Sequence, residues 1–325
     1  DLAKLAQFAN ARIIHESCTG IDANHKRLLF NSRPPLRFDV LSINIGGQRD
    51  LDAIDGAAEH AIPVKPIAQF QRRLDKVMAG GKTQKIAVIG GGAAGCELAL
   101  ALSKRWLTET GKRPELRLFS RSYRLMPQMA SRAGTLIEAD LKAIGAHIHK
   151  AVEATKIHHR SLSCSDGKNY DFDACFLVSA VKPPSWLAKS TMECDENGFI
   201  RVSQSLQSLS HPYIFASGDI AALHPHSRPK AGVFAVRAGR ILATNLSRYI
   251  RRQSLHVWKP QSRYLALIGT SDGSAIAARG SFGFKSRFLW RLKVWVDQRF
   301  MGKYKSLQMP LPPNADFFEG INASE

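Results

Sequence analysis

Acidic residues, paired cysteines and long apolar runs are what this sequence is short of. It has 46 Lys and Arg against 27 Asp and Glu in 325 residues, a net charge of +19 with a pI near 10.0. That excess attracts polyanions, whether nucleotides, nucleic acid or an anionic membrane surface, and says nothing of fold. The five cysteines, Cys18, Cys96, Cys164, Cys175 and Cys194, are scattered and odd in number. No two stand at C-x-x-C spacing, which argues against a zinc ribbon or a redox-active dithiol and fits a reducing, cytoplasmic compartment. No apolar run approaches the roughly 18 residues needed to span a bilayer. With 44% hydrophobic residues the chain is neither collagen-like nor disordered in bulk. What is there suits about two globular domains. A chain that opens at Asp1 rather than Met reads as a fragment, so nothing follows for targeting.

Apolar spacing marks the elements. Residues 1–11 have helical spacing through Leu2, Leu5, Ala6 and Ala9, and strands are expected at 11–15 and 27–30 around a turn at 22–24. FDVLSINI (38–45) has the look of a buried strand closed by Gly46-Gly47. A helix is expected within 61–80, then a strand at 85–89, a helix at 96–106 and a strand at 116–119. Further on, a helix at 133–144 and strands near 147–150, 156–159, 176–181 and 213–217 precede a long helix at 231–249. No repeat of solenoid period is present.

The clearest unit is KIAVI (85–89) running into Gly90-Gly91-Gly92-Ala93-Ala94-Gly95 and on into CELALALSKRW. Gly90-x-Gly92-x-x-Gly95 has a strand before it and a helix after it, the context a dinucleotide fingerprint requires. The first glycine permits a tight turn, the second lets backbone approach a pyrophosphate, and the third lets helix close on strand. The next strand ends Phe119-Ser120-Arg121-Ser122, where an acidic residue would ordinarily meet a ribose hydroxyl. Ser120 and Arg121 there could instead hold a 2′-phosphate, or Arg121 and Arg124 could be solvated loop charges; NADH and NADPH both stay open.

A second signal is Tyr213-Ile214-Phe215-Ala216-Ser217-Gly218-Asp219, an apolar strand that delivers a Gly-Asp pair. With the glycine turn it resembles the FAD-dependent pyridine nucleotide-disulfide oxidoreductases, in their type II NADH dehydrogenase-like branch. That resemblance implies that Asp219 meets the ribityl chain of FAD. It places the turns after the FAD-side and NAD(P)-side strands at Asn44-Ile45-Gly46 and Ser179-Ala180-Val181, both in unusual wording. It puts Glu97 beside the nicotinamide and flavin, and it puts Lys230, Ala231 and Gly232 at a helix start by the flavin ring. The 290–301 stretch is similar to the tail of flavoprotein modules fused to selenide, water dikinase. Family members begin with their own GxGxxG for FAD, and this chain has only the one at 90–95, so the FAD unit is expected to be incomplete.

The expected architecture is therefore α/β, with two Rossmann-like dinucleotide-binding domains and a C-terminal segment. Residues 1–80 with 186–254 would make the partial FAD-binding domain, 81–185 the NAD(P)H-binding domain, 255–310 the C-terminal segment, and 311–325 a linker. The expected activity is hydride passage from NAD(P)H to FAD and onward to an acceptor, with a quinone first. The rival is a non-catalytic flavoprotein-like module serving a fused C-terminal partner domain. Cys96 reads as a packing residue, and His224-x-His226, lacking further ligands, as a loop pair rather than a metal site. His158-His159 reads as solvated. Between Lys285 and Lys305 basic residues interleave with Phe284, Phe288, Leu292, Trp295 and Val296. That pattern suits either a helix lying on anionic lipid at the inner membrane face or a helix docked on its own domain. No recognised motif supports nucleic-acid binding.

Overall fold

A computed structural model describes residues 2–81, 85–178 and 181–305. The chain divides into two bodies, residues 18–290 and the chain ends, described over 2–17 and 291–305. In the latter, α1 (Leu2–Phe8) forms as its spacing predicts. Residues 11–15, expected as a strand, are irregular. Their expected partner pairs elsewhere, because β1 (Cys18–Asp22) takes the edge of β2 (Arg27–Phe30).

The larger body begins with that meander, completed by β3 (Leu36–Arg37). The expected 38–45 strand is shorter, β4 (Leu41–Ile43), and β5 (Gln48–Arg49) follows. After α2 (Ala57–His60) come β6 (Ile62–Pro63), α3 (Ile67–Ala79), β7 (Lys85–Ile89), α4 (Ala93–Thr110), β8 (Glu115–Ser120), α5 (Ser131–Ala143) and β9 (His147–Lys150). An antiparallel meander of β10 (Ala154–Ile157), β11 (Ser161–Cys164) and β12 (Asn169–Asp171) leads to β13 (Ala174–Leu177).

These strands assemble a five-stranded sheet of order β6-β13-β7-β8-β9, with every pair parallel. Continuous apolar runs are what a parallel strand covered on both faces needs. The two-residue period sorts them. Ile86, Val88, Leu116, Leu118, Ala174 and Phe176 share a core with Leu74 of α3, Leu100 and Trp106 of α4, and Ile137 and Leu141 of α5. Their neighbours Ala87, Ile89, Phe119, Cys175 and Leu177 face the other way, against Ile157, Leu162 and Cys164 of the meander. Helix α4 stops at Gly111, whose left-handed φ of 73° suits a glycine cap.

A second core gathers around β14 (Val181–Lys182), β15 (Ile200–Val202), β16 (Ile214–Ala216), β17 (Ala221–Leu223) and α6 (Gly232–Ile250), with Ile43 of β4. Here β16 runs parallel to β4, pairing Ile214 with Leu41 and Ala216 with Ile43. An antiparallel sheet of β18 (Ala266–Gly269), β19 (Ala275–Arg279) and β20 (Phe282–Ser286) follows, then α7 (Arg287–Lys305). Phe284, expected on the helical face of the tail, therefore lies on a strand. Ile268, Ile276 and Ala278 of this sheet join the core shared by α4 and α5. The fit is close at Gly283, where a Cβ would lie 2.6 Å from the Ala133 nitrogen. Lys285 reaches Asp140 of α5 at 2.5 Å and Asp272 of the β18–β19 turn at 2.8 Å.

Candidate functional site

The glycine turn leaves β7 at its carboxyl end, beside the end of β13, where an open parallel sheet offers a crevice to ligands. Each glycine has a separate reason to lack a side chain. Gly90 adopts φ +125°, and a Cβ there would lie 2.4 Å from the Val178 carbonyl oxygen. At Gly91 it would lie 2.3 Å from Ser120 Oγ, and at Gly95 1.8 Å from the Gly90 carbonyl oxygen. Those three glycines let turn, helix and β8 close on one another. Gly92 differs, because a Cβ there would meet nothing within 4 Å. Its missing side chain leaves open space at the start of α4, where no side chain caps the helix. Orphan N–H groups and the positive helix end then face whatever enters, as an anionic phosphate requires. Ala93 and Ala94 are the first helical residues and keep that approach free of bulk.

Ser120 at the end of β8 is 4% exposed and packs against Gly91, so its hydroxyl belongs to the turn. The two arginines behind it differ. Arg124 donates to the carbonyls of Met129 and Pro127 and to the Ser131 hydroxyl, tying down its loop. Arg121 is exposed and makes no hydrogen bond with the described residues. The residues present thus fit a dinucleotide cradle, with one cation left over at the strand end.

Glu97 lies in the first turns of α4, partly buried, and its Oε1 accepts a hydrogen bond from the Gly269 N–H at 2.7 Å. Sequence reasoning missed Gly269. Its only signal was a glycine closing an apolar strand, the mark of a close approach. Cys96 is fully buried, and burial pushes its thiol up to about 12, with the Glu97 charge adding to the effect. Burial likewise holds Cys175 at about 12 and Cys164 at about 11. All five cysteines are free. Thiols so raised stay protonated at neutral pH and are poor nucleophiles.

The other set of expected residues collects at the carboxyl ends of the parallel pair β4 and β16. Asn44 follows β4 and Gly218 follows β16, and the two meet: a Cβ on Gly218, whose φ is +72°, would lie 2.5 Å from Asn44 Oδ1. Gly46, at φ +65°, turns the chain away with open space around it. Asp219 is partly buried, and its carboxylate accepts no hydrogen bond from the described residues. It stands ready for a ligand hydroxyl, which fits a ribityl chain. Ala231 and Gly232 open α6, again without a side-chain cap. Lys230 turns inward: its ammonium donates to the Ala221 carbonyl at 2.7 Å and rests 3.9 Å from the centre of the Phe199 ring. Burial lowers its pKa against the opposing pull of Asp195 and Asp219. Gly218, Asp219, Lys230, Phe234 and Trp258 line a cavity of about 40 Å³, sized for water.

Ser179 and Ala180 lie outside the described residues, as does 311–325; Val181 is the first residue of β14. His224 accepts from Arg201 at 2.9 Å, His158 pairs with Ser163 at 3.0 Å, and His159 is exposed. Among the described residues no cluster of His, Cys, Asp or Glu could hold a metal ion.

Comparison with known proteins gives the family and the fold. The profile of the pyridine nucleotide-disulphide oxidoreductase family matches residues 4–239. The NADH dehydrogenase-like protein YutJ of Bacillus subtilis is 23% identical over 284 residues, covering 85% of this chain and 78% of that one. The demethylphylloquinone reductase NdbB of Synechocystis is 25% identical over 214 residues, covering 62% of this chain and 52% of that one. The solved structure of NDH2 from Plasmodium falciparum in complex with NADH superposes with a TM-score of 0.76. It is 14% identical and the match covers 91% of this chain and 84% of that one, a likeness of fold.

Proposed function

Since the chain belongs to the pyridine nucleotide-disulphide oxidoreductase family, whose cofactors are FAD and NAD(P)H, we propose that it is an NADH dehydrogenase-like flavin oxidoreductase acting on a quinone. When bound, NAD(P)H supplies a hydride that FAD accepts, and the electron pair passes with protons to the acceptor. The chain's own residues bind and orient. The N–H groups of Gly92, Ala93, Ala94 and Gly95 hold the nucleotide phosphates, and Arg121 stands ready for a 2′-phosphate. Asn44, Gly46, Gly218 and Asp219 hold the ribityl side of the flavin, with Ala231 and Gly232 presenting the start of α6. Lys230 acts through the loop it braces onto Ala221. Glu97 presents a fixed carboxylate beside the nicotinamide.

One observation carries most of this reading: the open space at Gly92, at an uncapped helix start, between three glycines closed by contact. The protonated thiols favour direct hydride chemistry over dithiol exchange. The quinone is favoured by the Synechocystis relative, whose name is that of a quinone reductase.

No helix of the described residues is long and apolar enough to cross a membrane. Instead α7 exposes Trp295, Val296, Phe300 and Met301 beside Arg291, Arg299 and Lys303. Those residue types suit a helix lying in an anionic lipid surface, where a quinone dissolves.

The test is to purify the full-length protein with FAD and add NADH and NADPH separately without oxygen. Bleaching of the oxidised-flavin band, followed by reoxidation with a soluble quinone, is the expected result. A protein that takes up no flavin, or whose flavin neither nucleotide bleaches, would sink the proposal.

A further inference from the structure

Beyond the family match at 4–239, the end of β18 reaches the nucleotide side of the proposed site at Glu97. There the Gly269 N–H donates to Glu97 at 2.7 Å, although the two are far apart in sequence. A backbone N–H fixed in a sheet cannot rotate away, so it sets the carboxylate's direction as a side-chain donor would not. Donation to a charged acceptor is also among the stronger hydrogen bonds, more so when water is kept from it.

Trp290, 36% exposed, is the side chain nearest to Gly269 at this contact. A Cβ at Gly269 would lie 3.1 Å from Trp290 Cζ3 and 3.5 Å from Glu97 Oε1. The indole and the carboxylate therefore both close on the space that a side chain at 269 would take. Trp290 itself is held. It lies in the first turns of α7, where the Ser286 hydroxyl accepts from the Leu289 N–H at 3.2 Å, as a helix N-cap does. One residue earlier, Lys285 ties the strand to Asp140 and Asp272. The chain from 266 to 290 is thus anchored on α5 and delivers one donor to Glu97.

We propose that Gly269 and Trp290 are positioning residues for Glu97, so that the C-terminal sheet completes the nucleotide site. Gly269 supplies the donor and the space, and Trp290 keeps that donor in place. The inference rests on the reading that Glu97 serves the nicotinamide.

The test is a double-variant cycle in the full-length, flavin-loaded protein. Gly269→Val keeps the N–H but fills the gap, and is expected to lower kcat with NAD(P)H about tenfold while altering KM for the quinone little. Trp290→Ala is expected to lower it about threefold, with Trp290→Phe near the parent. In a Glu97→Ala background Gly269→Val should add no further loss. Independently of turnover, amide exchange of the 266–275 segment should quicken in Glu97→Ala. Additive losses, or exchange unchanged by Glu97→Ala, would overturn the positioning role. A Glu97→Ala variant with parental kinetics would instead overturn the reading of Glu97, and this inference with it.

Discussion

A single methyl group separates the two kinds of glycine in the 90–95 turn. At Gly95 it would be driven to 1.8 Å from the Gly90 carbonyl oxygen, whereas at Gly92 it would enter open space. Gly95→Ala is accordingly expected to lower the melting temperature by several degrees, because the contact is backbone against backbone. Gly92→Val should melt as the parent does yet bind NAD(P)H at least tenfold more weakly by calorimetry, its side chain standing where a phosphate approaches. Equal effects of the two on stability would contradict the division of roles. Arg121 offers a second residue-scale test. With Arg124 committed to loop carbonyls, Arg121→Ala should raise KM for NADPH about tenfold, the worth of a charge-assisted hydrogen bond, and leave KM for NADH alone. An equal rise for both nucleotides would show that the guanidinium serves elsewhere. The glycines were legible in sequence because their spacing encodes a backbone shape. The Gly269–Glu97 bond was not, since it joins an ordinary strand residue to a helix 172 positions away.

Elements were legible wherever local periodicity and burial agree. Helices α3, α4, α5 and α6 and strands β7 and β8 emerge close to their expected places, the helices burying an apolar face and the strands an apolar run on both sides. The 11–15 stretch failed for want of a partner edge, which no local pattern records. The strand expected near 156–159 emerges two residues earlier as β10, while β11, β12 and the β18–β20 sheet were passed over, their strands being short. Phe284 misled because Phe284 and Phe288 also satisfy a helical spacing across the junction of β20 and α7. The anchor of the last sheet can be tested at Lys285, whose side chain is 21% exposed and pairs with both Asp140 and Asp272. Lys285→Met should cost about 1–3 kcal/mol by leaving two carboxylates without their cation. Asp272 sharpens the expectation. Burial pushes its pKa up, but bonds from Lys285, Thr270 and Ser274 outweigh it and hold it at about 2. A depressed carboxyl stabilises above its unfolded pKa and loses that contribution as pH falls through the folded one. The parent should therefore lose stability between about pH 4 and pH 2 more steeply than Lys285→Met, followed by thermal melts across that range.

At the scale of the whole molecule the net charge of +19 is the dominant long-range property. If α7 lies on lipid, the protein should co-sediment with vesicles containing anionic lipid, and less so as salt is raised, since surface attraction decays over about 8 Å at physiological ionic strength. Trp295→Ala with Phe300→Ala should weaken binding to those vesicles while leaving reduction of a water-soluble quinone unchanged. Retention that ignores both salt and these variants would dismiss the lipid-facing role. The charge was plain from composition, but composition gives no address for it. The last sheet has a consequence in time as well as in space. Ile268, Ile276 and Ala278 complete an apolar core begun by Ile86, Val88 and Leu100. A chain emerging from the ribosome must therefore hold the nucleotide fold with one wall missing until about residue 280 has been made. During that interval the glycine turn can form, but Glu97 has no Gly269 to meet. Fixing of the carboxylate is thus deferred until β18 has been made, so that a prematurely terminated product would have the glycine turn without the fixed carboxylate beside it.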